Sequence, residues 1–177
     1  MQRLAAVLCL LLLAGGALSA DETKGLSIAV SYSVFRPSSG ATRDTFGSTW
    51  SGIGIAPFTR QRSERWRPTF DVSLYSHDDV GRATLVPVTF GVQRAFGSSG
   101  TTIPYASVRV GPYYGRVRDA LGERTTHIGL DANAAVGVTF KERFFLEARY
   151  DYFSRIAGNR FDGVSLTVGV RVFDLGK

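Results

Sequence analysis

The sequence predicts an all-β protein, an eight-stranded antiparallel up-and-down transmembrane β-barrel preceded by a cleavable signal peptide. Two observations support this prediction. Apolar residues alternate with polar or small residues over eight segments, and the connections between them are alternately long and short. A period of two is the pattern of a β-strand. An even number of antiparallel strands, with short turns at one end and longer loops at the other, is typical of membrane barrels.

Residues 1–20 have the pattern of a secretory signal peptide. Arg3 precedes an apolar run over residues 4–13, which includes Cys9, and small residues lead to Leu18-Ser19-Ala20. Such a pattern indicates export and cleavage after Ala20. The apolar run is shorter than the roughly 20 residues that a membrane-spanning helix needs. We therefore expect residues 21–177 to form one barrel domain.

Strands are predicted over residues 26–35 and, more weakly, over 46–58. In the first, Ile28 and Val30 alternate with serine and alanine. In the second, the apolar residues Ile53 and Ile55 are separated by glycines, and Pro57 marks the end. The segment 37–45 between them is rich in serine and glycine and is predicted to be a polar loop.

Three further strands are predicted over residues 66–75, 84–96 and 103–114. Phe70 and Val72 alternate with polar residues in the third strand, and Val108 and Val110 in the fifth. Pro87 interrupts the fourth and is expected to force a bulge or a late start. The connections 59–65 and 97–102 are short turns, whereas 76–82 and 115–124 are predicted loops.

The clearest signal is the hairpin over residues 126–152. Its first arm carries Ile128 and Val136 on one parity, and its second arm, after a turn at 141–143, carries Leu146 and Tyr150. A loop at 154–162 leads to the eighth strand, predicted over 163–173. The parity of this strand places Phe173 on the lumen face. From the alternation of loops and turns, we expect both termini on the short-turn side, which is the periplasmic side of such a barrel.

The alternating pattern suits two opposite architectures, because an apolar face can point into a soluble core or outward into lipid. Composition favours the second. The chain has 21 basic and 15 acidic side chains, but its lysines are only Lys24, Lys141 and Lys177. Soluble β-proteins usually cover their water face with lysine and glutamate. Here the polar face consists mostly of glycine, serine, threonine and alanine, which suits a narrow barrel interior. No arginine-rich aromatic patch suggests nucleic acid.

Strand length and aromatic placement agree with a membrane barrel. Ten residues that rise about 3.3 Å each and tilt by about 40° cover roughly 25 Å, the height of the apolar band. Aromatic residues on the apolar parity lie near predicted strand ends, where membrane barrels carry aromatic girdles: Trp66, Phe96, Tyr114, Tyr150 and Tyr152.

Two strands carry a family resemblance. With the signal peptide and the eight alternating segments, Phe145-Leu146-Glu147-Ala148-Arg149-Tyr150 and Val168-Gly169-Val170-Arg171-Val172-Phe173 resemble the small outer-membrane β-barrel superfamily, which includes the OmpA membrane domain, OmpX, OmpW and the opacity proteins. The resemblance implies the outer membrane of a diderm bacterium, contact with its lipid and lipopolysaccharide, and insertion by the barrel-assembly machinery. We expect a monomer with a structural, surface-interaction or small-solute role.

Charged residues of inward parity are predicted to form a lumen network: Asp71, Arg109, His127, Asp131, Glu147, Arg149, Asp151 and Arg171. Charges in a barrel too narrow for open water must be partnered, so we interpret them as structural ion pairs. The alternative is a gated ion path or a proton-linked switch at His127.

Arginines of the predicted outer loops are candidate contacts for lipopolysaccharide phosphates: Arg36, Arg43, Arg82, Arg116, Arg118, Arg155 and Arg160. Guanidinium groups pair well with phosphate. Loop acids partly offset them, so a solvated rim is an equal alternative: Asp44, Asp78, Asp79, Asp119, Glu123 and Asp162.

An enzyme is the second hypothesis. The segment from Arg149 to Ser154 is similar to the Arg-Tyr-x-His-x-Ser strand of outer-membrane lipid A deacylases, and Ser154 matches their nucleophile. Tyr152 stands where the general base belongs, and a serine without an adjacent base is a poor nucleophile. His77-Asp78-Asp79 is too compact for all three side chains to converge on one metal. We therefore expect no enzyme activity, metal or cofactor. A soluble periplasmic ligand-binding barrel is the third hypothesis.

Overall fold

The structure, a computed structural model, describes residues 26–59, 65–78, 81–97, 100–118, 122–141, 143–156 and 158–174. The predicted signal peptide and its cleavage site lie outside these residues, as do the loop acids Asp79 and Asp119. No helix in the described ranges combines the length and the apolar character needed to cross a membrane.

Eight antiparallel strands form a closed barrel in which each strand pairs with the next and the last pairs with the first. The strands are β1 Leu26–Pro37, β2 Trp50–Thr59, β3 Arg67–Asp78, β4 Arg82–Ala95, β5 Thr102–Arg118, β6 Arg124–Phe140, β7 Phe144–Phe153 and β8 Gly163–Asp174. One short helix, α1 Gly40–Phe46, lies between β1 and β2. The predicted eight-stranded up-and-down barrel is thus confirmed. We call the end that carries α1 and the connections 79–81, 119–123 and 154–162 the loop rim, and the opposite end the turn rim.

The apolar face of every strand points away from the barrel axis. Ile128 has 74% of its surface exposed, and Val136, Ile53 and Leu166 are also more than half exposed. The alternate positions are buried and mostly polar, because neighbouring residues of a strand point to opposite faces. The interpretation in which the apolar face forms an internal core is therefore wrong.

The segment before β2 is helical rather than a polar loop followed by an early strand. Ser39 accepts a hydrogen bond from the Thr42 backbone N–H through its hydroxyl (3.4 Å), which is an N-cap. Gly47 ends the helix with φ of 86°, a conformation that favours glycine. Phe46 was predicted to begin β2 but is the last residue of α1, and β2 begins at Trp50.

Several strands extend beyond their predicted ends at the loop rim. β5 continues through Gly115–Arg118, because Gly115 and Val117 still point inward while Arg116 and Arg118 point outward. Likewise β6 begins at Arg124, β3 reaches Asp78 and β4 begins at Arg82. The charged residues had suggested loops. Pro87 causes neither a bulge nor a late start, because β4 keeps one register on both sides of it.

A register shift at the end of β8 reverses the predicted orientation of Phe173. The shift lies between Ile28 and Ala29 of β1, so that Arg171 pairs with Ala29 while Phe173 pairs with Ile28. A bulge of one residue moves the following side chains to the other face. Phe173 is accordingly 62% exposed on the outer surface instead of facing the lumen.

Pairing between β2 and β3 is short. It runs from Ser51 opposite Ser76 to Ile55 opposite Val72 and does not continue toward the turn rim. Pro57 and Pro68 lie where β2 and β3 do not pair with each other, although each pairs with its other neighbour, and neither has an N–H to donate. The wall is therefore less completely hydrogen-bonded there than at the other strand junctions.

Candidate functional site

The middle of the lumen holds a network of buried ion pairs centred on Arg149 of β7. Its Nη1 lies 2.9 Å from Oδ1 of Asp71, and its Nε lies 3.0 Å from Oδ1 of Asp151. Asp71 also accepts a hydrogen bond from the Ser73 hydroxyl at 2.7 Å. Because β3 and β7 are four strands apart in a ring of eight, the pair between Arg149 and Asp71 crosses the lumen and ties opposite walls together.

A third ion pair joins β5 to β7. Nη2 of Arg109 lies 2.9 Å from Oε1 of Glu147, and Nε of Arg109 donates to Oδ1 of Asn133 at 2.9 Å. The Tyr105 hydroxyl donates to the other carboxylate oxygen of Glu147 at 3.0 Å. Arg109 therefore has partners on β6 and β7, and both partners of Glu147 lie on β5.

The burial of these ion pairs determines how much the loss of one partner should cost in stability. Asp71, Arg109, Asp131, Glu147, Arg149 and Asp151 each have 6% or less of their surface exposed. A buried pair that loses one partner leaves an uncompensated charge, which typically costs about 3–5 kcal/mol. The six side chains occupy the lumen at this level, and their ion pairs link β3, β5 and β7.

Two acids of this group have contacts besides the three ion pairs. Asp131 accepts a hydrogen bond from Nδ2 of Asn133 at 3.3 Å, and its Oδ1 has no hydrogen-bond partner among the described residues. The Ser165 hydroxyl donates to Asp151 at 3.4 Å. Polar side chains of β6 and β8 thus extend the network around the lumen wall.

His127 and Arg171, predicted to belong to the network, are half-buried and lie nearer the two ends of the barrel. The His127 ring is 6.1 Å from that of Tyr113, at the loop rim. Arg171 lies opposite Ala29 near the turn rim. The structure therefore brings six of the eight predicted residues into one buried group, and the proton-linked switch at His127 stays an untested hypothesis.

Above the ion pairs, at the loop rim, the lumen is closed by a packed apolar cluster that sequence reasoning did not identify. We call it the aromatic plug. It consists of Phe35, Phe46, Trp50, Tyr75, Ala83, Leu85, Tyr113, Val117, Phe153, Ile156 and Phe161. The only available signal was that inward positions near strand ends carry aromatic residues in place of small ones.

The plug packs ring against ring across the barrel. Phe153 of β7 lies 5.0 Å from Tyr113 of β5 and 6.2 Å from Phe35 of β1, measured between ring centroids. Phe46 of α1 contacts Phe161 at 5.4 Å, so the helix and the loop before β8 cover the opening. Trp50 satisfies its indole N–H on the Gly47 carbonyl at 3.0 Å. These side chains are buried against one another across the barrel opening.

Ser154, the candidate nucleophile of the enzyme hypothesis, has structural contacts. Its hydroxyl accepts a hydrogen bond from the Leu130 backbone N–H at 3.0 Å, and its carbonyl accepts one from the Tyr113 hydroxyl. Tyr152, in the position of the base, is about half exposed on the outer face. The described contacts hold the 154–162 loop against β5 and β6.

The seven predicted lipopolysaccharide contacts all lie on the loop rim, but they differ in their partners. Arg43 donates to the carbonyls of Pro37 and Ser38, Arg82 pairs with Asp78, and Arg160 pairs with Asp162 at 3.1 Å. The remaining four are exposed: Arg36, Arg116, Arg118 and Arg155. The suspected metal triplet diverges in its described part, since the His77 ring stacks on Trp50 while Asp78 turns to Arg82.

Comparisons with known proteins agree on the fold. No family model and no curated protein sequence matches the chain. Among solved structures, neisserial surface protein A is similar with a TM-score of 0.67 and 18% identity, over 85% of this chain and 97% of that one. The N-terminal β-barrel domain of Pseudomonas aeruginosa OprF is similar with a TM-score of 0.53 and 18% identity, over 84% and 98%.

The outer-membrane enzyme PagL is also similar, with a TM-score of 0.59 and 12% identity, over 81% of this chain and 99% of that one. Enzymes and proteins not described as enzymes therefore share this architecture. The chain has the fold of the small eight-stranded outer-membrane barrels, and a fold of this kind does not by itself specify an activity.

Proposed function

We propose that this protein is an outer-membrane β-barrel with a sealed lumen, exported with removal of residues 1–20, that acts as a structural component and through its loop rim. The observation that carries the proposal is the distribution of side chains in the barrel. Apolar side chains face outward, and paired charges are buried inside. In hydrocarbon every backbone polar group must be paired internally, and a closed ring of strands meets this requirement.

The connections support one orientation in the membrane. The loop rim carries α1, the long connections and the exposed arginines, so we place it at the cell surface and both termini in the periplasm. The exposed arginines there are suited to lipopolysaccharide phosphates. We propose that the protein works as a monomer inserted by the barrel-assembly machinery.

A small-solute role is disfavoured by the two layers that fill the lumen. A diffusing solute would have to displace both the aromatic plug and the ion pairs of Arg149. We therefore expect no stable current when the refolded protein is added to planar bilayers. The network of six buried charges serves stability rather than transport in this proposal.

Cell fractionation tests the location. The protein is expected to stay with the outer-membrane fraction after a carbonate wash, whereas a soluble periplasmic barrel would be released. Channel recording tests the sealed lumen. Recovery in the soluble periplasmic fraction, or regular open-channel steps with the wild-type protein, would contradict the corresponding part of the proposal.

A deacylase remains the second candidate because PagL, an outer-membrane enzyme, has a similar fold. The described contacts of Ser154 argue for a structural role. Mass spectrometry of lipid A from cells with and without the protein separates the two, because a deacylase would shift the lipid mass by one acyl chain.

A further inference from the structure

Three arginines lie side by side on the outer surface of the loop rim, in one cross-strand row. Arg82 of β4 is directly opposite Arg118 of β5, and Arg118 is directly opposite Arg124 of β6. All three are exposed and have outward parity. We call them the arginine row. Arg124 was assigned to the predicted 115–124 loop but was not among the arginines predicted to contact lipopolysaccharide.

Such a row is electrostatically unfavourable in the isolated barrel. Directly opposed residues have Cβ atoms about 4.5–5.5 Å apart, and like charges in such positions destabilise a sheet. Asp78 pairs with Arg82 at one end of the row, with 2.9 Å between its Oδ1 and Nε of Arg82. Arg116, two residues below Arg118 on the same face, adds a fourth guanidinium.

The described carboxylates do not neutralise this patch. Asp78 is adjacent to Arg82, and Glu123 immediately precedes Arg124 in the chain. Even if each offsets one arginine, positive charge remains around Arg118 at the centre. An anion that bridges Arg118 and its neighbours would relieve the repulsion, and planar guanidinium groups bind phosphate oxygens in pairs.

The surface below the row indicates what kind of anion fits. Moving toward the turn rim, the next outward row is Thr84, Arg116 and Thr126, and the one after it is Val86, Tyr114 and Ile128. The number of charged residues thus falls from three to one to none over these rows, and a tyrosine lies in the apolar row. Tyrosine is enriched where a membrane barrel meets the lipid headgroups.

The distances agree with this placement. Successive outward rows are two residues, or roughly 6.6 Å, apart along a strand, and Arg118 lies two rows from Tyr114. Once strand tilt is included, the arginine row therefore lies on the order of 10 Å above the tyrosine. That is the height of headgroups rather than of bulk solvent. Long arginine side chains can reach down toward the boundary while their stems cover apolar surface.

We propose that the arginine row, with Arg116, binds the phosphate groups of the glycolipid in the surrounding leaflet, so that lipopolysaccharide contact is concentrated on β4, β5 and β6 rather than spread over the rim. This inference rests on the proposed membrane location and narrows the set of contacts. Arg36 provides the contrast, because its cross-strand neighbour on β8 is Val164, not a second arginine.

The test compares two double variants of the refolded protein in zwitterionic micelles. R118Q/R124Q removes two charges from the row, and R36Q/R155Q removes two exposed charges from elsewhere on the same rim. Thermal unfolding is followed while diphosphoryl lipid A, the same lipid without phosphates, or inorganic phosphate is added. The rise in unfolding temperature with lipid concentration gives the affinity.

We expect R118Q/R124Q to weaken the binding of diphosphoryl lipid A by about tenfold or more, since each lost charge-assisted contact matters on this scale. R36Q/R155Q should change it by less than about twofold. Without lipid, R118Q/R124Q should unfold at a higher temperature than the wild type, because the repulsion is gone.

Equal affinities of the two double variants would overturn the proposal. So would equal binding of the phosphate-free lipid, and an equal effect of inorganic phosphate at the same concentration would overturn the assignment to a lipid. These measurements are made in micelles and test lipid binding by the arginine row. Cell fractionation tests the membrane location separately, so either proposal can fail without the other.

Discussion

The lumen is filled in two different ways at two heights. In the middle, charged side chains from β3, β5 and β7 are paired across the barrel. At the loop rim, aromatic side chains from the strands, α1 and the 154–162 loop pack without charges. The ion pairs demand particular partners, whereas apolar packing depends mainly on volume. The comparison teaches that one barrel can link its walls by ion pairs at one height and fill its interior by apolar packing at another.

The largest effect is expected from removing the central charge. Arg149→Ala leaves Asp71 and Asp151 buried without their cation, so the free energy of unfolding should fall by about 3–5 kcal/mol. Denaturant unfolding in detergent measures it. Arg155→Ala, at an exposed position near the same strand, should change stability by less than about 0.5 kcal/mol. Similar stabilities of the two variants would mean that the network does not hold the walls.

A smaller loss is expected in the plug. Ile156 is fully buried, and Ile156→Ala should destabilise the barrel by about 2–3 kcal/mol through the lost contacts and the space left behind. The variant should remain closed to ions, because the charged layer beneath is untouched. Channel recording checks this part, and a current through Ile156→Ala would show that the plug alone seals the barrel.

A double-mutant cycle distinguishes the ion pairs, which need particular partners, from the plug, which depends mainly on packed volume. Arg109→Met and Glu147→Gln should each destabilise the protein, and the double variant should cost less than the sum by about 1–3 kcal/mol. Two plug residues that do not touch should instead give additive losses. If the stability losses of Arg109→Met and Glu147→Gln were additive, the two charges would not be energetically coupled.

The smallest effect is expected where the plug meets the loop. Ser154→Ala removes one hydrogen bond to the Leu130 N–H and should cost about 0.5–1.5 kcal/mol. The lipid A mass spectrum of cells that carry this variant should match the wild type. A difference between the two lipid A mass spectra would indicate that Ser154 is catalytic and not only structural.

The extent of sequence-based prediction differs between the two layers. Asp71, Arg109 and Glu147 could be placed in the lumen because strand parity alone assigns a face to each residue. Their partners could not be assigned, since the register between strands is a tertiary property. The plug escaped prediction because Phe46 and Phe161 come from α1 and a loop, which have no parity.

Strand ends show the same limit. Arg116 and Arg124 were assigned to loops since charged residues are typical of loops, yet the long strands β5 and β6 carry them on an exposed face. Phe173 was assigned to the lumen because nothing in the sequence of β8 reveals a bulge that depends on its pairing with β1. The arginine row exists only through these pairings.

The short junction between β2 and β3 sets a direction for disassembly. A ring of strands separates where the fewest main-chain bonds must break, and the segments around Pro57 and Pro68 do not pair with each other. Disassembly is therefore expected to start at the turn rim and to proceed toward the loop rim. Separation of the strands should then reach the ion pairs of Arg149 before it reaches the aromatic plug. The plug should therefore stay packed after the ion pairs have been lost.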